Sequence, residues 1–198
     1  MTSVLPRLLG PPTIPQAELC ALRLDGQLYR VGDSYVTLDT PDTHELRAEA
    51  FALLAAPPMI ADRRTAAWIH GVRAEPPPVL HACVDRARRG PASNPPGIDL
   101  RQCALERGDV LRVGRARLTS PLRTVVDLLR TERRFTAGLA LQVQALLALA
   151  GVAPAECQAH IRRHIQSPGT RRALVRLAAV PQDRAAPESQ PALTRYTS

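Results

Sequence analysis

His160 and His164 stand four residues apart, the spacing at which two imidazoles on one helical face can share a zinc ion. Arg162 and Arg163 between them make the neighbourhood positive, and two ligands rarely hold zinc alone, so no metal is expected there. Cys20, Cys83, Cys103 and Cys157 are too scattered for a CxxC metal or redox motif and read as reduced, structural thiols. Arg123 and Asp127 also lie at i,i+4, where an ion pair across one helical turn is expected to be a solvated flank rather than a site. His70, in "WIHG", reads as a histidine near the last carbonyls of a helix. Nucleophile-elbow, phosphate-loop, dinucleotide and zinc-protease patterns are absent from the sequence. These residues predict a protein that is not an enzyme and carries no cofactor.

The elements that would position these side chains follow from caps and periodicity. Ser120 is an N-cap candidate, and Pro121 suits the first helical position because its missing N–H has no partner there anyway. Leu122, Val125, Val126 and Leu129 then recur at helical spacing. Further helices are expected at 135–150, 153–166 and 169–179, and earlier ones at 14–24, 42–56 and about 62–70. Between them "PVLHACVDRA", "GIDLRQCALE", "DVLRV" and "RARLT" are β-like runs, separated by "RRGPASNPPG" and by the Gly114-Arg115 turn. The expected class is α+β: a truncated winged-helix element over 1–40, then a domain over 41–182. That domain combines a small, mostly antiparallel sheet with a C-terminal helical bundle. The polar, proline-rich residues 183–198 are expected to form a flexible tail. The longest apolar run, near 145–154, is too short to span a bilayer, and nothing at the N-terminus reads as a secretion signal, so a cytoplasmic protein without a membrane role is expected.

The net charge of +8 comes entirely from arginine, since the chain has no lysine. Residues 1–40 carry a net −1 and the remainder +9, which matters because phosphate neutralisation supplies much of the affinity of DNA-binding modules. "IPQAELCALRL" followed by "DGQLYRVGDSYVTL" nonetheless has the helix-then-hairpin order of the back half of a winged helix, with Arg23, Gln27, Arg30 and Tyr35 as its candidate DNA contacts. The prolines and glycine of "MTSVLPRLLGPP" leave room there for one helical turn at most. Arg162, Arg163, Arg171, Arg172 and Arg176, on two helices joined by a Pro-Gly turn, form a concentrated basic patch suited to nucleic acid or an acidic partner. Arg86, Arg88 and Arg89 are candidates to extend it.

"RLTSPLRTVVDLLR" resembles the "TSP-x-RTVVDLAR" signature in the C-terminal domain of AbiEi-type antitoxins, a family common in high-GC actinobacteria. "LYRVGDSYV" is similar to that family's wing hairpin, "RRTAAWIHGV" to its "H-x-S-AA-x-LHGL" and "PGTRRALVRLA" to its "PG-x-RRAR-x-ALA", in the same order along most of residues 13–180. The resemblance implies a transcriptional regulator of a type IV toxin–antitoxin system. Such a protein represses its own promoter and counteracts a nucleotidyltransferase toxin without a stable complex being required. It departs from the family where the wing tip is "GDS" instead of a basic turn, and where the chain stops at "APESQPALTRYTS" without the endonuclease-like extension of longer relatives. The alternative is an interaction or regulatory remnant of the family that lost operator binding and acts through its basic C-terminal helices.

Overall fold

The computed structural model describes residues 7–11, 13–87, 95–163 and 167–181. Pro15, with φ near −55°, precedes helix α1 (Gln16–Leu24), which turns through Gly26 into a hairpin of β1 (Leu28–Val31) and β2 (Ser34–Thr37). Val31 pairs with Ser34 across a two-residue loop, and the positive φ that such a loop needs is supplied by Gly32. Leu9 bridges Tyr35 from the other side through two backbone bonds of 2.8 and 2.9 Å, an isolated bridge that ties the chain before α1 to the two-stranded hairpin. Leu9, Leu19, Leu28 and Tyr35 form a small core within this element, while Leu8, Val31 and Val36 join the main core beyond it.

The main body follows as α2 (His44–Leu54), β3 (Ile60–Ala61), α3 (Arg63–Ile69), β4 (Leu80–Asp85), β5 (Ile98–Cys103), β6 (Val110–Val113) and β7 (Ala116–Thr119). It closes with α4 (Pro121–Thr131), α5 (Ala137–Ala150), α6 (Pro154–Arg163) and α7 (Thr170–Ala178). The sheet has the order β5-β4-β3-β7-β6. The α+β class is as expected, but the sheet is mixed: β4 with β5 and β3 with β7 are parallel, and only the β3–β4 and β6–β7 pairs are antiparallel. Residues 86–97 give the chain between β4 and β5 enough length to start the second strand at the same end as the first, a choice that strand periodicity does not reveal. The two-residue strand β3 carries too little pattern to be read from sequence.

Alternation gives the sheet two unlike faces. Leu80, Ala82, Val84, Ile98 and Leu100 face a core built with Ala61, Leu118, Trp68 and the inward side of α2. His81, Cys83, Asp85, Asp99, Arg101 and Cys103 occupy the alternate positions, on the face where Ile60, Val110 and Leu105 make only a small apolar cluster. A third cluster, from Val125, Val126, Leu128 and Leu129 of α4 with Val143, Leu146, Cys157, Ile161, Ala173 and Leu177, holds the four C-terminal helices together. Among the described residues no single helix is long and apolar enough to cross a membrane.

Candidate nucleic-acid interface and the buried arginine–aspartate network

The polar face of the sheet meets the start of α4 through a ladder of charges. Asp62, wholly buried at the end of β3, accepts from Arg63 Nε at 3.0 Å and from Arg101 Nε at 2.5 Å. The Arg101 Nη2 lies 2.9 Å from Asp127 Oδ2, which also accepts from Arg123 Nε at 3.1 Å. Arg123 Nη1 continues to Asp109 Oδ2 at 2.7 Å and to the Ala104 carbonyl at 3.0 Å. At the other end Arg63 Nη1 reaches the half-exposed Asp99 at 2.8 Å. Burial pushes the Asp62 carboxyl up, against Arg101 and Arg63, which pull it down. Burial likewise works against the Arg101 and Arg123 cations, yet the flanking aspartates raise both above the ordinary guanidinium value and keep them charged.

Arg123 and Asp127 are therefore not a solvated helix flank. Asp127 is 2% exposed, and Arg123 ties α4 to the loop before β6. The i,i+4 spacing identifies the pair correctly but carries no information on what covers it. Arg63 has φ +47°, a left-handed conformation that costs a non-glycine residue about 1–3 kcal/mol, and its three side-chain bonds to Asp62 and Asp99 hold it there. With each Asp62 oxygen and the Asp127 Oδ2 accepting from a guanidinium, the ladder ties β3, β5, α4 and the loop before β6 together.

The remaining motif residues serve the same frame. Ser120 accepts from Arg123 N at 3.5 Å, and Thr124 bonds Thr119 Oγ1 at 2.7 Å. Arg64 pairs with the buried Glu132, with Nε to Oε1 at 2.8 Å. His70 caps α3, and its Nε2 lies 2.8 Å from the Thr119 carbonyl; burial pushes its pKa down. α3 and α7 both pack on α4, which brings 63–72 and 168–178 against 117–130.

The basic patch divides. Arg162, Arg163, Arg171 and Arg172 are exposed on the packed pair α6 and α7. Arg163 Nη2 lies 3.0 Å from His160 Nδ1, and Arg172 also donates to the Arg130 carbonyl. Arg176 does not belong to this surface: it is 9% exposed, donates to the Leu129 carbonyl at 2.9 Å and to the Arg133 carbonyl at 3.3 Å, and sits 5.8 Å over the Phe135 ring. Arginine periodicity on an amphipathic helix marks its charged face but misses a cation recruited to cap the neighbouring helix's carbonyls. Arg171 and Arg172 line an open depression of about 890 Å³ with Ser167, Gly169, Thr170 and Val175, at whose edge the largely buried Arg176 also lies. Arg88, Arg89 and His164 lie outside the described residues, as do residues 183–198.

The four candidate contacts of the N-terminal element also divide. Arg23 and Gln27 are exposed. Arg30 is exposed but paired with Asp33 at 2.8 Å. Tyr35 is 5% exposed, packs in the small core, and its hydroxyl accepts from Gln16 Nε2 at 3.0 Å, which removes it from any outer surface. Arg23 and Arg30 line a cleft of about 660 Å³ whose walls include Asp33, Glu75 and the prolines 76–78, so cations and anions balance there.

The four cysteines are free thiols, Cys20 exposed and the other three buried. Sequence spacing hides one grouping: Cys83 on β4, Cys103 on β5 and Asp62 after β3 bring their ligand atoms within 4.8 Å of one another. The two thiols perturb each other, the Cys83 thiol being pushed up, with burial adding to the rise, and the Cys103 thiol down.

No family model and no curated protein matches this chain. A crystal structure of the RV2827C protein from Mycobacterium tuberculosis aligns over 90% of this chain and 78% of that one, at 14% identity and a TM-score of 0.36.

Proposed function

We propose that this chain is a DNA-binding regulator of the antitoxin kind. In this reading α6 and α7 supply phosphate affinity, and the helix–hairpin element supplies what sequence preference there is. The carrying observation is a division of labour among arginines. Arg101, Arg123 and Arg176 are engaged with internal carboxylates and carbonyls around α4, whereas Arg162, Arg163, Arg171 and Arg172 are solvent-exposed on two packed helices, Arg172 while also donating to the Arg130 carbonyl. Exposed guanidiniums at fixed spacing neutralise phosphates. The order of α1 followed by the β1–β2 hairpin, with Leu9 bridged to Tyr35, supports reading the hairpin as a wing. On this reading the protein works in the cytoplasm, represses its own promoter, and opposes a nucleotidyltransferase toxin encoded beside it.

A second reading, an interaction protein without operator binding, is favoured by the Arg30–Asp33 pair and the burial of Tyr35, which leave only Arg23 and Gln27 of the four candidates exposed and unpaired with acid. Competition gel shifts separate the two. Retention of the chain's own upstream fragment over an unrelated duplex of equal length, together with rescue of growth on co-expression with the adjacent nucleotidyltransferase, supports the regulator. Equal competition by both duplexes and no rescue supports the interaction protein.

A further inference from the structure

We propose that Asp62, Cys83 and Cys103 form a binding site for one thiophilic divalent cation, of the zinc or cadmium class. The three ligand atoms come from the end of β3, from β4 and from β5, all on the polar face of the sheet, and lie within 4.8 Å of one another. A tetrahedral ion with metal–sulfur bonds of about 2.3 Å sets its sulfurs roughly 3.8 Å apart, inside that span. A disulfide fits less well. Cys83 pairs with Arg101 and Cys103 with Asp85, so the cysteines are two residues out of register on neighbouring strands. That offset separates Cα atoms by roughly 7–8 Å, beyond the reach of an unstrained bridge.

The surroundings suit a held cation. Ile60, Leu105 and Val110 wall the thiols with apolar surface. Arg63 and Arg101 each take one Asp62 oxygen, which orients the carboxylate and leaves each oxygen a second lone pair to offer. The ladder's four aspartates, at 62, 99, 109 and 127, outnumber its three arginines, at 63, 101 and 123. A divalent ion that displaces two thiol protons leaves the local charge unchanged, so binding adds no uncompensated charge to the interior.

The test uses the full chain, reduced and stripped with a chelator, titrated with cadmium while thiolate-to-metal charge-transfer absorption is followed. The expected result is one ion per chain. The signal should vanish in Cys83→Ala/Cys103→Ala, weaken at least tenfold in affinity in Asp62→Asn, and persist in Cys20→Ser/Cys157→Ser. Because the double alanine variant removes core side chains, thiol alkylation of the unaltered protein supplies a second readout. Zinc should slow labelling of Cys83 and Cys103, located by peptide mapping, and leave Cys20 labelling unchanged. Absence of a charge-transfer band in fully reduced protein, a band that survives removal of both cysteines, or labelling indifferent to zinc overturns the proposal.

Discussion

Two arginine–aspartate pairs, at i,i+3 and i,i+4, show how little spacing says about energy. Arg30 and Asp33 are more than half exposed, and Arg123 and Asp127 are 13% and 3% exposed as side chains. Arg30→Ala should cost under about 1 kcal/mol. Asp127→Ala leaves Arg101 and Arg123 desolvated without a shared counter-ion and should cost about 3–5 kcal/mol, measured by denaturant unfolding at neutral pH. A cost below about 1 kcal/mol for Asp127→Ala would mean that the ladder is solvated. His81 gives the same scale a pH dependence. Burial and the Arg63 cation push its pKa down to about 4, and its Nδ1 is buried without a partner. The unfolded chain protonates this imidazole below about pH 6.5 and the folded chain only near 4, so its contribution is complete above 6.5. Stability should fall by at most about 3 kcal/mol as pH drops between those values, and His81→Gln should remove that part of the slope from a thermal-melt profile. Parallel profiles for the two proteins would show that the imidazole is solvated.

At the scale of elements, most helices are legible because caps and apolar periodicity are local. Ser120, Thr43 and Thr136 each cap a helix, and the seven helices among the described residues follow the expected segments closely. Pairing is not local, which is why β3 and the parallel direction of β5 are illegible. The same limit hides the ladder: Asp62, Arg101 and Asp127 are separated by dozens of residues, and no single-helix pattern joins them. One close approach between elements has a direct consequence. Gly169 precedes α7 with φ +80°, and a Cβ there would stand 2.9 Å from the Arg130 carbonyl oxygen at the end of α4. Gly169→Ala should therefore destabilise by about 2 kcal/mol, from a strained φ and a backbone clash together. Gly114→Ala, with a φ of +56° and open space around it, should cost only the conformational part, about 1 kcal/mol. Equal shifts in melting temperature would show that α7 can move away from α4 at no cost.

For the whole molecule, charge separation decides where a polyanion lands. Residues 1–40 carry a net −1 and the rest +9, and among the described residues of the larger part Arg63, Arg64, Arg101 and Arg123 neutralise buried acids. The surplus that reaches solvent on α6 and α7 belongs to Arg162, Arg163, Arg171 and Arg172, while Arg23 and Arg30 beside the β1–β2 hairpin share a cleft with Asp33 and Glu75. The most direct test is the salt dependence of binding to duplex DNA for the unaltered chain, for Arg162→Gln/Arg163→Gln/Arg171→Gln/Arg172→Gln and for Arg23→Ala, each checked for an unchanged fold by its melting curve. The quadruple variant should bind more weakly, with a log–log salt slope shallower by up to about 0.9 for each phosphate it no longer neutralises. Arg23→Ala should keep most of the affinity and lose preference between duplexes. An unchanged slope in the quadruple variant, with binding abolished by Arg23→Ala, would contradict the assignment and move the interface to the N-terminal element.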